Sequence, residues 1–250
     1  MLGCSVGQLA NEGFTLKELK YARNYFRDRD IECELINLRN YLPDSYNDDT
    51  INDDINAYIL IARGGLNALI KPNTSIDFFD EQSTLDVDKK AFMYGRVVNK
   101  LARHNLCFAN EAQEPDYENK MGRVIAFDTC PLLNKVRSKL HRVVGEKARG
   151  LFAEGNYYHA PPQPSGISYH GDTERRTVIG IRTGASLPLH FHWFHNSTAI
   201  GETCKLLLND GDIYIMSEKA VGQDWKKKKI ITLRHAAGSA KYLALPIKKK

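Results

Sequence analysis

From residue 150 onward the chain is built of short strand-like runs at 155–159, 166–170, 177–183, 188–194, 204–208, 212–216, 230–236 and 241–247, with Gly or Pro between them. Eight such runs at regular spacing restrict this part to an all-β sandwich or jelly roll, read here as a double-stranded β-helix. Nothing before residue 150 has that rhythm. Residues 13–41 read as a helical opening: Thr15 can cap, Glu18 stands where a capping box needs it, and Leu16, Leu19, Tyr21, Tyr25 and Phe26 supply the apolar positions. Residues 42–55 are rich in Asp and Asn and read as a solvated loop. The apolar run Tyr58–Ala62, ended by Gly64 and Gly65, reads as a buried strand.

Residues 72–90 are polar and read as loop. Residues 91–106, with Arg96, Lys100, Arg103 and His104 among apolar positions, read as a helix with a basic face. Residues 132–149 read as an amphipathic helix with Leu132, Leu133, Val136, Leu140 and Val144 inward. The expected architecture is therefore α+β. An N-terminal α+β cap or substrate lid over residues 1–115 covers a C-terminal β-helix core over 116–250.

Composition sets outer limits. Apolar residues at 42% and charged residues at 26% allow a sizeable core. No run approaches a membrane span. The start, Met1-Leu2-Gly3-Cys4, lacks a basic stretch followed by an apolar one, so no secretory signal is read. Five scattered cysteines without a C-x-x-C read as reduced thiols, which implies an intracellular (cytoplasmic or nuclear) location; a monomer is expected. The net charge of +5 is compatible with a nucleic-acid partner.

Against this background, His170-Gly171-Asp172 places an imidazole and a carboxylate two residues apart. On an extended chain such a pair points to one side, as two ligands of one ion would. A third donor from further along would complete a 2-His-1-carboxylate triad, which leaves positions open on Fe(II). An N-x-Y pair, Asn156 and Tyr158, precedes it. Gly211-Asp212 and the apolar run Ile213–Met216 follow, and then Thr232-Leu233-Arg234-His235.

This ordered set, over roughly residues 154–245, resembles the AlkB-type branch of the Fe(II)/2-oxoglutarate dioxygenases. The resemblance implies His170 and Asp172 as iron ligands, and Asn156 and Tyr158 as hydrogen-bonding partners of 2-oxoglutarate. It also implies O2 as co-substrate, and a substrate that is an N-methylated nucleic-acid base, flipped out of any duplex and oxidatively demethylated, as in DNA repair. Hydroxylation of a protein prolyl or lysyl side chain is the alternative on the same site. A non-catalytic nucleic-acid-binding β-barrel is a further one.

The third ligand departs from the family pattern. The family His lies roughly fourteen residues beyond the G-D turn, where this chain has Gly222-Gln223-Asp224-Trp225. Either Ser217–Lys229 is an insertion and His235 is the ligand, or Asp224 is the ligand and Arg234 binds the far carboxylate of 2-oxoglutarate. Adjacent strand residues face opposite ways, so Arg234 and His235 cannot both point inward. Imidazole is the usual third donor, which favours His235. The carboxylate then needs another cation, and Arg182 and Lys241 are the candidates.

His190, His192 and His195 form a second histidine group, with spacing compatible with zinc but no Cys or carboxylate partner nearby. The run Lys226, Lys227, Lys228 and Lys229, with Lys248–Lys250, is the clearest basic patch and the candidate phosphate contact. Glu174-Arg175-Arg176 could extend that basic rim. Trp225, Trp193, Tyr157 and Phe108 are candidates for stacking on a base.

Overall fold

The run Tyr58–Ala62 lies at the centre of the molecule, apolar on both faces because both faces are covered. It forms β2, and its side chains alternate. Ile59 and Ile61 join one core cluster, while Leu60 and Ala62 join another. The computed structural model describes residues 12–46 and 55–246. Cys4, much of the 42–55 segment and the Lys248–Lys250 run fall outside the described residues.

The order of elements is α1 (Leu16–Arg27), β1 (Cys33–Asn37), β2 (Tyr58–Ala62), α2 (Gly65–Ile70) and α3 (Ser75–Ser83). Then come β3 (Lys90–Met93), β4 (Arg96–Asn99), β5 (His104–Ala109), β6 (Val124–Ala126), α4 (Pro131–Val144) and β7 (Ala153–Tyr157). The rest is β8 (Gly166–His170), β9 (Val178–Ile181), β10 (Leu187–His195), β11 (Thr198–Leu208), β12 (Ile213–Met216), α5 (Glu218–Val221), β13 (Thr232–Gly238) and α6 (Ala240–Leu243). The protein is a mixed α+β, sheet-rich structure. One four-stranded sheet runs β1-β2-β12-β9 and a second runs β11-β10-β13-β8. A three-stranded sheet β6-β5-β7 and the hairpin β3-β4 complete it. The two four-stranded sheets do not close into a barrel.

Ile59, Ile61 and Met216 of the first four-stranded sheet share a core with Leu189, Phe191, Trp193, Cys204 and Leu233 of the second. The buried Trp193 indole donates to the Leu38 carbonyl at 2.8 Å, so its one polar atom is satisfied. The opposite face of the first sheet, through Leu60, Ala62, Ile213 and Ile215, packs on α1, α2 and α4. α1 starts at the expected capping box, in which the Glu18 carboxylate accepts from the Thr15 backbone N–H at 2.8 Å. α4 buries Val136, Leu140, Val143 and Val144, close to the expected face.

Several expectations are corrected. Residues 13–41 are not one helix, because α1 ends at Arg27 and β1 follows, hydrogen-bonded to β2. Residues 75–83 are a helix, capped by Thr74 and Asp77, rather than loop. The 91–106 stretch is not a basic helix but β3, a turn at Tyr94-Gly95, β4 and the start of β5. The eighth expected strand, 241–247, begins instead as the short helix α6. Gly238 at φ +122° packs on the Ser165 carbonyl, where a Cβ would come within 2.3 Å, and the chain turns there. The segment read as a cap also contributes β1 and β2 to the sheet that holds β9 and β12. No helix among the described residues is long and apolar enough to cross a membrane. The four described cysteines are free thiols, three of them buried.

Ile61 is fully buried at the junction of the two sheets. Ile61→Ala should lower the unfolding free energy by about 2–5 kcal/mol, because the rigid layers on both sides cannot collapse into the void. Urea unfolding followed by tryptophan fluorescence measures this, and a change below that range would contradict the packing described.

Candidate metal centre

β13 lies antiparallel to β8, and their register sets His235 directly opposite His170. Four residues of β8 (Ile167 to His170) lie opposite three of β13 (Ala237 to His235), which is a β-bulge. The extra residue turns both Ile167 and His170 to the same cavity, as strict alternation would not. Asp172 lies just past β8, where its backbone N–H donates to the Val221 carbonyl at 3.1 Å. The candidate ligand atoms of His170, Asp172 and His235 then all lie within 4.8 Å of one another. His170 Nε2 is 3.6 Å and His235 Nε2 is 3.9 Å from the Asp172 carboxylate. Among the described residues this is the one group of three or more His, Cys, Asp or Glu side chains able to share an ion.

The protons on these rings follow from their neighbours. His170 Nδ1 faces the carbonyls of Ser168, at 2.8 Å, and His235, at 3.1 Å. Both are acceptors, so Nδ1 carries the proton and Nε2 presents its lone pair to the centre. His235 is 7% exposed. Burial holds its imidazole well below the usual pKa, and His170 and Arg175 push the same way. The Ala220 backbone works against this, while the buried Nδ1 has no full hydrogen-bond partner. His235 is therefore a neutral donor at physiological pH.

Gly171 is required by close packing. A Cβ there would sit 2.0 Å from the Gly222 carbonyl oxygen and 2.9 Å from the Trp225 Cβ. The segment from α5 to Trp225 thus lies directly over the turn between His170 and Asp172. It is fastened by Lys219, buried in the same segment, whose ammonium donates to Asp224 at 2.7 Å and to the Ile231 carbonyl at 2.8 Å. Asp224 is consequently the partner of Lys219 and stands outside the His–Asp–His group, so the structure does not bring the alternative ligand into the centre. Arg234 points away from the centre, as alternation from His235 requires. Its guanidinium packs 4.1 Å from the Phe194 ring centroid and 5.2 Å from that of Trp225. Lys241 lies on α6 against Tyr242 and does not line the cavity.

The centre opens into a cavity of about 1160 Å3. That is enough for an ion, a small co-substrate and part of a larger substrate. Asn156, Tyr158 and Arg182 line it together with the three ligand candidates. Asn156 accepts a 2.6 Å hydrogen bond from Arg103 Nε. Burial raises the Tyr158 pKa. Burial lowers that of Arg182, with Tyr158, Tyr214 and Asp210 opposing. Arg182 donates to the Ala185 carbonyl at 2.6 Å and has no ion-pair partner among the described residues. It is a desolvated cation facing a cavity.

Three cavity residues were not singled out as site residues from the sequence. Arg175, read only as part of a surface rim, is turned inward and donates to Glu154 at 2.8 Å. Burial opposes its charge, but Asp172 and Glu154 hold it firmly protonated. Tyr214 lies across Gly180, its register partner on β9, where a Cβ would come within 1.9 Å of the ring. A glycine opposite an aromatic on paired strands is the signal that could have found it. Arg103 belongs to β5's approach rather than to a helix face, and nothing in its spacing marks it.

The remaining candidates have other roles. His192 Nδ1 meets the Thr203 hydroxyl at 2.8 Å, and His195 Nδ1 the Tyr46 hydroxyl at 3.4 Å, so the second histidine group does not converge. Trp193 is core. Phe108 and Tyr157 are in the cavity wall, and Trp225 lies outside it under Lys226 and Arg234. Lys226–Lys229 are exposed, but none of the four lines the cavity.

Gly171→Ala removes no ligand yet forces Asp172 and the overlying segment apart. Divalent-metal affinity should fall roughly 10–100-fold with the circular-dichroism spectrum unchanged. Titration calorimetry with Mn(II) reads this, and wild-type affinity would show that the close packing does not hold the ligands.

Comparison with known proteins gives a relative but no activity. No protein-family model matches the chain. It is similar to an uncharacterized protein of Acanthamoeba polyphaga mimivirus, 44% identical over 238 residues, which cover 95% of this chain and 90% of that protein.

Proposed function

The chain belongs to one family with that mimivirus protein, and from that premise we propose that it is an Fe(II)- and 2-oxoglutarate-dependent dioxygenase of the AlkB type. The observation that carries the reading is the convergence of His170, Asp172 and His235 at the wall of a large cavity. The donor set fits the ion: two imidazoles and one carboxylate, with the space beside them open. The pairing of β8, β13, β10 and β11 in one sheet, sharing a core with β9, β12 and β2 on the facing sheet, supports a double-stranded β-helix.

His170, Asp172 and His235 would hold Fe(II). Bound there with 2-oxoglutarate and O2, the metal supplies an oxidant that hydroxylates a C–H bond while the oxo acid becomes succinate and carbon dioxide. The side chains do the rest. His170 is held in its ligating tautomer by two carbonyls. Arg182, which makes no direct ion pair among the described residues, suits the far carboxylate of the co-substrate by a charge-assisted hydrogen bond. Tyr158 and Tyr214 beside it exclude water and offer hydroxyls. This replaces the family's strand arginine, since Arg234 faces away and the chain enters α6 after β13. Arg175 lies beside Asp172 and adds positive charge where anionic groups would gather.

For the substrate, the favoured class is an N-methylated base in nucleic acid, whose hydroxymethyl product would release formaldehyde. Five cations and no acid between residues 89 and 110, beside the cavity, favour a polyanion over a peptide side chain.

Anaerobic addition of Fe(II) and 2-oxoglutarate should produce a weak absorption band toward the red end of the visible spectrum. The band should be absent in His170→Ala and His235→Ala and retained in Asp224→Asn. Arg182→Gln should keep metal binding but raise the 2-oxoglutarate needed for half-maximal signal roughly 10–100-fold. A wild-type protein that binds Fe(II) without any 2-oxoglutarate-dependent band would sink the proposal.

A further inference from the structure

We propose that the part of the cavity against α4 is a second binding site, which takes a straight-chain carboxylate. Its carboxylate sits on Arg137, and its chain lies between α4 and the β6-β5-β7 sheet. The inference goes beyond the dioxygenase reading and does not rest on it, since none of its residues holds the metal or the co-substrate.

The cavity is larger than one small ligand needs. Its volume of about 1160 Å3 exceeds the roughly 300–1,000 Å3 of a typical small-molecule pocket. The candidate ligands, with Tyr158, Arg182 and Tyr214, account for one part of its wall. Another part is α4. Leu133, Val136, Arg137 and Leu140 all line the cavity, and their spacing of i, i+3, i+4 and i+7 makes them one stripe of the helix. At about 1.5 Å per residue the stripe runs roughly 10 Å. Leu133 packs against the cluster that holds Phe108 and Phe127, whose rings stack with centroids 6.3 Å apart. Leu85 and Val87 belong to the same cluster, and all four residues line the cavity too.

This wall is apolar but incompletely covered. Val136 and Leu140 are buried, yet Leu85, Val87, Leu133 and Leu151 are only half-buried. Interiors are ordinarily packed without gaps wider than a water molecule. Leucines and a valine facing a cavity forgo the contacts that a packed neighbour would supply, and a hydrocarbon chain restores them. The Tyr157 hydroxyl in this wall faces Gln82 at 3.4 Å, so it does not call for a polar ligand.

One cation stands here without an acid. The Arg137 guanidinium lies 4.2 Å from the Phe127 ring centroid. It donates from Nε to the Leu151 carbonyl at 2.6 Å and from Nη2 to the Gly150 carbonyl at 3.2 Å. A guanidinium carries five N–H donors, so others remain for a ligand. The surrounding charges are already matched. Lys147 pairs with Glu12 and Glu18, and Arg149 with Glu146. Glu81 accepts from the Leu132 and Leu133 N–H groups at the start of α4, and Glu154 is held by Arg175. α4 itself contains no Asp or Glu. Arg137 makes no ion pair among the described residues, and the ring and the two carbonyls fix its plane. A planar monocation of this kind suits a carboxylate, which can accept two N–H groups at once. A phosphate monoester would bring close to two negative charges to a single positive one. A peptide or sugar laid along the stripe would lose water from its polar groups without finding partners.

Titration calorimetry of the whole protein with hexanoate, octanoate and decanoate tests this. Binding should be one to one, and affinity should rise roughly 10-fold for every two methylenes added. Arg137→Gln should weaken octanoate binding roughly 10–100-fold and leave 1-octanol binding as in wild type, whereas Leu133→Gln should weaken both. An arginine with a merely structural role would not separate the acid from the alcohol. If Leu133→Gln does not fold, Arg137→Gln decides alone. Wild-type octanoate affinity in Arg137→Gln, affinity independent of chain length, or no saturable binding overturns the proposal. So does octanoate binding that is lost in Arg182→Gln and kept in Arg137→Gln, which would put the acid in the place of the co-substrate. The Fe(II)–2-oxoglutarate band, expected unchanged in Arg137→Gln, is read on each variant. The band without octanoate binding sinks this inference alone, and Arg137-dependent octanoate binding without the band sinks the dioxygenase reading alone.

Discussion

The pairing of His235 with His170 across β13 and β8 is the constraint on which the rest of the centre depends. A one-residue slip of either strand would turn its imidazole to the opposite face. The slip is opposed by the core, because Leu233 on β13 and Phe191 on β10 are fully buried against the first sheet and would be expelled with it. The bulge in β8 adds a second lock, since it fixes which four residues oppose which three. Leu233 and Phe191 share the face that carries His235, so sheet packing along that face sets the geometry of the candidate ligands further along it.

The segment from α5 to Trp225 acts as the third wall. Val221 accepts from the Asp172 N–H, Gly222 packs on Gly171, and Ala220 touches His235. A segment that reaches two ligands and the turn between them must itself be fixed. Lys219 provides this, with an almost fully buried ammonium paired to Asp224 and the Ile231 carbonyl. Buried ion pairs are poor sources of net stability. This one makes sense as a positional device: it ties the two ends of the covering segment together at a defined distance.

The same contact explains what the sequence could and could not disclose. His170 and Asp172 were legible because their relation is local. The choice between Arg234 and His235 was narrowed by strand alternation, and the outward stacking of Arg234 on Phe194 and Trp225 agrees with it. Asp224 could not be decided from spacing, because its partner Lys219 acts through burial, which sequence does not display. Arg96, Lys100 and Arg103 fall at helix-like intervals and imitate a basic helix face, whereas the deciding signal was the Tyr94-Gly95 turn. Arg175 looked like surface because it follows two polar residues, and only Glu154 on β7 explains its inward direction. β2 was legible as a buried strand, but β1 and the place of both in the sheet were hidden for a topological reason: β2 pairs with β12, more than 150 residues later in sequence than itself.

The charge distribution also divides the cavity into two regions with different demands. Near the candidate ligands, Arg175 faces two carboxylates, Glu154 and Asp172, so this end carries a net negative charge before any ion enters. Elsewhere in the cavity lining, Arg182 has Tyr158 and Tyr214 for neighbours and Asp210 acting on it without a direct ion pair, so that end retains a positive charge. Adding a divalent cation makes the first region positive as well. A ligand that satisfies both must be anionic at two points, and burial makes leaving either point bare costly. The cavity is thus more demanding of charge pattern than of shape. In the reaction proposed above, that demand would fall on the small co-substrate, and the wider remainder of the space, toward β5 and the hairpin, would be left for the group oxidised.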